Sequence, residues 1–171
     1  MLRDGGIVAH ACEGVWGLAC DPWNKQTVER VAAIKERGLE KGLILIAASS
    51  SDFTPELGAL TERSLALVLE SWPGNQSWVV ESARFPDWIT GGRDSVAVRV
   101  PGSTQARSLA HRFGGPLVST SANKSGLAPA LTEAAVRLAF EREVDYILPG
   151  DISGDDGHSR LSVAATGERL R

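Results

Sequence analysis

Residues 43–47 read LILIA, five apolar residues in a row with no polar position among them. A strand with one wet face alternates; a strand without alternation has to be covered on both faces. That demand narrows the architecture to a sheet with flanking helices, and the rest of the chain supplies both parts. Residues 6–11 (GIVAHA), SWVVE, DSVAVRV, residues 116–119, YIL and RLSVA read as further strands, the last followed by the Thr166-Gly167 turn. Between them lie helices. Residues 27–37 place Val28, Val31, Ala32 and Ile34 on one helical face, and Gly38 stops them. Thr54-Pro55 opens a helix through about Glu70, with proline at a favourable first-turn position. Ser103 caps a helix to Phe113 that Gly114-Gly115 ends, and Thr132 caps another to about Arg142. The class is α/β, and the sheet is expected to be twisted and mixed parallel/antiparallel. With 171 residues and no repeat, low-complexity tract or linker, the chain is expected to form a single domain over residues 1–171.

Composition excludes little but directs the rest. Hydrophobic residues at 43% and charged residues at 23% are ordinary for a soluble globular protein. No apolar run approaches the roughly 20 residues of a membrane-spanning helix, and MLRDGGIVAHAC lacks the apolar core of a signal peptide. A cytoplasmic location without membrane contact is the expectation. A net charge of −3 argues against a wholly basic nucleic-acid binder but allows a local patch. Lys25, Arg30, Lys35, Arg37 and Lys41 form a basic stretch, yet Glu29, Glu36 and Glu40 interleave, so most of these are expected on a solvated helix face. Cys12 and Cys20 read as free thiols, zinc spacings are absent, and His10, His111 and His158 are scattered.

The densest polar feature is LVSTSANKSG, residues 117–126, where a strand runs directly into Ser119, Thr120, Ser121 and Asn123. A connecting loop needs one or two turn residues, not a row of hydroxyls. Without a GxSxG elbow or a recognisable histidine base, nucleophilic catalysis by Ser119 or Ser121 is not indicated. Hydroxyls and loop amides at a strand end suit an anion instead; the competing reading is an Asn/Ser turn that satisfies its own backbone. Lys35 and Arg37 close the first helix, where the dipole alone would explain them, although the same cations suit a triphosphate. Arg99 sits within an apolar strand, so it either meets an internal carboxylate or reaches a bound anion. In ACEGVWGLACDP, Trp16 either floors a pocket or belongs to the core.

Taken in order, EGVWGLACDP, the Lys35-x-Arg37 pair, KGLILIA, SWPG, TG…DSVAVRV, PLVSTSAN-x-SG and the closing ATGE resemble the YrdC/TsaC family of threonylcarbamoyl-AMP synthases over residues 6–171. PLVSTSAN followed by SG is the most specific element. The resemblance implies the YrdC-like fold with a positively lined cavity, and a nucleotidyltransferase reaction in which L-threonine, bicarbonate and ATP give threonylcarbamoyl-AMP and pyrophosphate. The product would serve threonylcarbamoyl modification of the tRNA adenosine next to the anticodon, with tRNA met directly or through partner enzymes. It further implies Lys35 and Arg37 as catalytic, phosphate-contacting residues. Ser95, Ser121 and Asn123 would hold the nucleotide, and Cys12, Arg99 and Ser119 the threonine. ATP would be a substrate, Mg2+ would be held mainly through phosphates with no protein metal site, and the protein would be a monomer. The family's Pro-Thr before glutamate is Ala11-Cys12 here, and its Pro-Ser-x-Ile-x-Asp is replaced over residues 158–163. Two alternatives accompany these departures: a non-catalytic RNA-binding or assembly paralogue, and a carbamoyl-adenylate enzyme with another acceptor.

Overall fold

In a sheet of short strands the register is set by which side chains must be kept dry. The computed structural model describes residues 1–171 except Asp155, Asp156 and His158, and among them eight strands form one mixed sheet. The strands are β1 (Val8–Ala11), β2 (Trp16–Cys20), β3 (Ile44–Ile46), β4 (Gln76–Glu81), β5 (Ser95–Arg99), β6 (Leu117–Ser121), β7 (Tyr146–Ile147) and β8 (Arg160–Val163). Their order is β7-β1-β2-β6-β3-β5-β4-β8. Strand β6 is antiparallel to both of its neighbours and lies between the group β7-β1-β2 and the group β3-β5-β4-β8. Parallel pairing joins β1 to β7, β3 to β5 and β4 to β8, so the sheet is mixed.

The unbroken apolar run does what its composition requires. Leu45 packs with Trp16, Val28, Phe53 and Val68 on one face. Its neighbour Ile46 packs with Leu2, Val8, Ala106 and Leu117 on the other. Helix α1 (Lys25–Ile34) starts at Asn24, whose side chain accepts from the Thr27 amide. Helices α5 (Thr104–Phe113) and α6 (Glu133–Phe140) start at Ser103 and Thr132 in the same way. Gly114 closes α5 with a φ of 86°, in the left-handed region that a glycine adopts without strain.

Two expectations need correction, and one open reading is decided. The helix read from Thr54 through Glu70 is two: α2 (Thr54–Leu57) ends at Gly58, and α3 (Glu62–Glu70) begins afresh where Thr61 accepts from the Ser64 amide. A competing cap after a glycine breaks a periodic run. The segment around Trp16 is strand β2, with every residue buried, so Trp16 belongs to the core. Strand β6 continues through Ser121 instead of ending near Ser119, because Ser119 and Ser121 pair with Ala19 and Gly17 of β2. A short helix α4 (Asp87–Thr90) was not foreseen. Both cysteines are free and buried. No described helix is long and apolar enough to cross a membrane.

Candidate functional site

Side chains two apart on a strand share a face. Ile44 and Ile46 on β3, Ser95, Ala97 and Arg99 on β5, and Ser119 and Ser121 on β6 therefore look out from one side of the sheet, and together they floor a cavity of about 380 Å³. That volume suits a small organic ligand. Among the described residues five cations line it: Arg37, Lys41, Arg93, Arg99 and Arg171. Glu13 is the one acid among the described lining residues. A cleft with this excess of positive charge concentrates anions.

Arg37 follows Glu36, whose φ of 51° turns the chain out of α1. One guanidinium nitrogen of Arg37, Nη2, donates to the Gly42 carbonyl at 3.3 Å, and its Nε is buried with no protein partner among the described residues. Arg93 donates to the Glu40 carbonyl at 2.9 Å. Arg171 donates to the Ser159 carbonyl at 3.2 Å, and burial followed by the nearby Arg37 charge lowers its pKa. Arg37 and Arg171 thus bring two like charges to one end of the cavity, an arrangement that a bound anion relieves.

Lys35 takes a different place. Only 3% exposed, it does not line the cavity. Its ammonium reaches behind β6 and donates to the Ser121 carbonyl, to the Asn123 carbonyl at 2.9 Å and to Asn123 Oδ1 at 3.1 Å. Burial, then the Arg37 charge, brings its pKa down to about 8. Asn123 in turn accepts from Ser121 Oγ at 2.6 Å and donates to the Lys124 and Leu127 carbonyls at 3.0 and 2.8 Å. The loop therefore does satisfy its own backbone, as the turn reading anticipated, while Ser119 and Ser121 face the cavity. Of the eight residues singled out in the sequence, Cys12, Arg37, Ser95, Arg99, Ser119 and Ser121 line the cavity. Lys35 and Asn123 brace the loop behind Ser121. His158, part of a segment singled out above, lies outside the described residues.

Arg99 has the internal carboxylate that burial demanded. Its Nη2 lies 2.7 Å from Glu13 Oε1, off the line of a directed hydrogen bond, and its Nε donates to the Gly74 carbonyl at 2.8 Å. Glu13 also accepts from the Gly102 amide and from Cys12 Sγ, the latter at 3.0 Å. Burial alone would raise the Glu13 pKa, but Arg99 and these donors outweigh it and hold the carboxyl below its ordinary value. The Cys12 thiol is pushed up to about 12, chiefly by burial, and stays protonated.

Sequence reading missed His10. Fully buried on β1, it places Nε2 3.1 Å from Ser119 Oγ and Nδ1 3.2 Å from the Ala11 carbonyl. The signal was a histidine in an apolar strand, but Ser119 lies 109 positions away and only the β1-β2-β6 adjacency brings them together. This pair does not make Ser119 a nucleophile. Burial lowers the His10 pKa to about 4, so the ring is a weak base at neutral pH. The arrangement fits binding and alignment of an anionic substrate, without a covalent intermediate.

Comparison with known proteins agrees with this geometry. A family model described as Sua5/YciO/YrdC, "Telomere recombination", matches residues 1–165. The chain is 43% identical to the threonylcarbamoyl-AMP synthase of Halorhodospira halophila over 99% of its own length and 90% of that protein's. It is 41% identical to the Pseudomonas aeruginosa protein of the same name, over 100% and 92%. Among solved structures, Pyrococcus abyssi Sua5 in complex with L-threonine superposes with a TM-score of 0.87 at 29% identity, over 95% of this chain and 48% of that one. This chain thus spans about half the length of that Sua5. Escherichia coli YciO, at 19% identity and a TM-score of 0.82 over 99% of this chain and 85% of that one, shares the fold. On the family model and these relatives, the chain belongs to the Sua5/YciO/YrdC family.

Proposed function

We propose that this protein is a threonylcarbamoyl-AMP synthase. The amine of L-threonine and bicarbonate form a carbamate and water; a carbamate oxygen then attacks the α-phosphate of ATP, and pyrophosphate leaves. The observation that carries the reading is the cationic cavity floored by Ser95, Arg99, Ser119 and Ser121, with the buried Arg37 Nε at its edge and without a partner among the described residues. The names of the relatives at about 40% identity point the same way.

The reaction needs no protein nucleophile, because alignment and charge neutralisation can supply the rate. Arg37 neutralises phosphate oxygens. Lys35 acts behind the loop, polarising the Ser121 and Asn123 carbonyls and holding Ser121 against the nucleotide. Ser95 contacts the nucleotide from β5. Arg99, half neutralised by Glu13, keeps capacity for the threonine carboxylate, while Cys12 and Ser119 meet the amino acid. Among the described residues no three His, Cys, Asp or Glu side chains converge on one point, so a magnesium ion would take its ligands from phosphate oxygens and water. The protein acts as a single YrdC-like domain and as a monomer in the cytoplasm. Its product passes to tRNA, directly or through partner enzymes.

The test is pyrophosphate release with ATP and bicarbonate, with and without L-threonine. Threonine-dependent release is expected. Release that requires bicarbonate but ignores threonine would mean another acceptor, and no release would leave a binding paralogue.

A further inference from the structure

A serine hydroxyl can present either its proton or its lone pairs to a ligand. In this fold the choice at Ser119 is made by a neighbour. The Ala11 carbonyl can only accept, so His10 Nδ1, 3.2 Å away, carries the ring proton. Burial, with the Arg99 charge adding to it against the opposing Ala11 contact and Glu13, keeps the ring neutral. Nε2 is then an acceptor, and the single Ser119 proton is directed to it across 3.1 Å. Gly17 makes the contact sterically feasible. A Cβ at that position would lie 3.0 Å from His10 Nε2 and 3.2 Å from Ser119 Oγ, wedged against both.

We propose that His10 is a positioning residue that fixes Ser119 as a pure hydrogen-bond acceptor toward the cavity, so that the site takes its amino acid with the amine at Ser119. The inference rests on the reading of Ser119 as facing the amino acid. Lone pairs at Ser119 attract an N–H donor and repel a carboxylate, which is left to the cations around Arg99. The amino acid therefore enters in one orientation, its amine held at β6. The chemical class selected is a primary α-amine, and a desamino analogue with only a carboxylate and a hydroxyl loses this contact.

The test combines spectroscopy with binding. Nitrogen-15 shifts of His10 in the whole protein should report the Nδ1–H tautomer; the Nε2–H tautomer overturns the proposal. Replacing the ring by an apolar one, His10→Phe, leaves the Ala11 carbonyl bonded to Ser103 Oγ but frees the Ser119 proton. Threonine affinity, measured by calorimetry with ATP bound, should weaken about tenfold, the effect of one hydrogen bond to a charged donor. ATP affinity should stay within about twofold. His10→Gln, whose amide can accept from Ser119 and donate to Ala11, should stay within about threefold of the natural protein for threonine. In the double variant with Ser119→Ala, the loss should equal that of Ser119→Ala alone. Equal losses for phenylalanine and glutamine, or additive losses in the double variant, overturn the proposal. If Ser119→Ala weakens threonine binding while His10→Phe does not, the proposal falls and the reading of Ser119 stands. If Ser119→Ala leaves threonine affinity unchanged, both fall. Should His10→Phe fail to fold, the tautomer and His10→Gln still decide.

Discussion

Replacing Arg99 with glutamine tests whether the cavity floor is also a structural strut. The side chains of Arg99 and Glu13 are 7% and 10% exposed, and their charged atoms are 2.7 Å apart, so solvent screens the pair little. Arg99→Gln strands the Glu13 carboxylate in the interior, still accepting from the Gly102 amide and the Cys12 thiol but without its countercharge. Breaking a buried pair from one side costs about 3–5 kcal/mol. For a chain of 171 residues, each kcal/mol lowers Tm by roughly 3 °C, so the unliganded protein should melt about 9–15 °C lower. The loss should also depend on pH. Glu13 is held below its ordinary pKa in the folded protein, so the stability it contributes is present above the unfolded value and lost as pH falls through the folded one. In the variant the Glu13 pKa rises, the carboxyl protonates more readily, and the gap between the two proteins should narrow toward pH 4. Melting curves from pH 4 to 8 provide the assay. A shift below about 2 °C at neutral pH, or a gap that ignores pH, refutes the argument and leaves Arg99 a ligand contact alone.

Arg37→Ala should weaken ATP binding by about 1.5–3 kcal/mol, the worth of a charge-assisted contact, without unfolding the protein; calorimetric titration with unchanged affinity would remove Arg37 from the nucleotide site. Cys12→Thr should lower the KM for threonine, because a hydroxyl is a better donor and acceptor than the buried thiol 3.0 Å from Glu13; an unchanged or higher KM would mean that Cys12 does not meet the amino acid. Lys35 has a folded pKa of about 8 against an ordinary 10.5, so the folded chain binds fewer protons between those values and stability should rise with pH across that window. Denaturant unfolding should show that Lys35→Met removes this rise; an identical pH slope in both proteins would contradict the buried placement of Lys35.

The legible parts of the fold were those with local causes. LILIA could only be a doubly covered strand, and Ser103 and Thr132 cap their helices through side chains three residues from the amide they satisfy. Strand β2 escaped notice because WGLAC lacks the β-branched residues and the alternation that mark a strand, its burial coming from neighbours on both sides. The end of β6 was misplaced for a related reason: a hydropathy run stops at Val118, but pairing with β2 continues to Ser121. At the site, residue types in a dense motif were readable, and six of the eight line the cavity. Their partners were not. Glu13 reaches Arg99 across 86 positions and His10 reaches Ser119 across 109, separations that no local pattern encodes. The roles of Lys35 and Asn123 divide differently from those of Arg37 and Ser121 because the turn that follows α1, at Glu36, separates the two cations, leaving Lys35 on the loop carbonyls and Arg37 in the cavity lining.

Strand β6 also decides when a molecule becomes competent. Val118 alone pairs with Cys20 on one side and with Leu45 on the other. Until residues 117–121 leave the ribosome, the two halves of the sheet have no common strand, and β2 and β3 each present an open edge. Closing such distant contacts costs chain entropy before any packing repays it, so this step should come late and slowly. Open edges in that interval are surfaces for mispairing with other chains. The strand that ends the interval is the one that carries Ser119 and Ser121. A nascent chain therefore joins the two halves of its sheet and completes the strand floor of the cavity in a single event, before β7 and β8 add at the edges, and premature termination before residue 117 yields fragments with neither a joined sheet nor a complete floor.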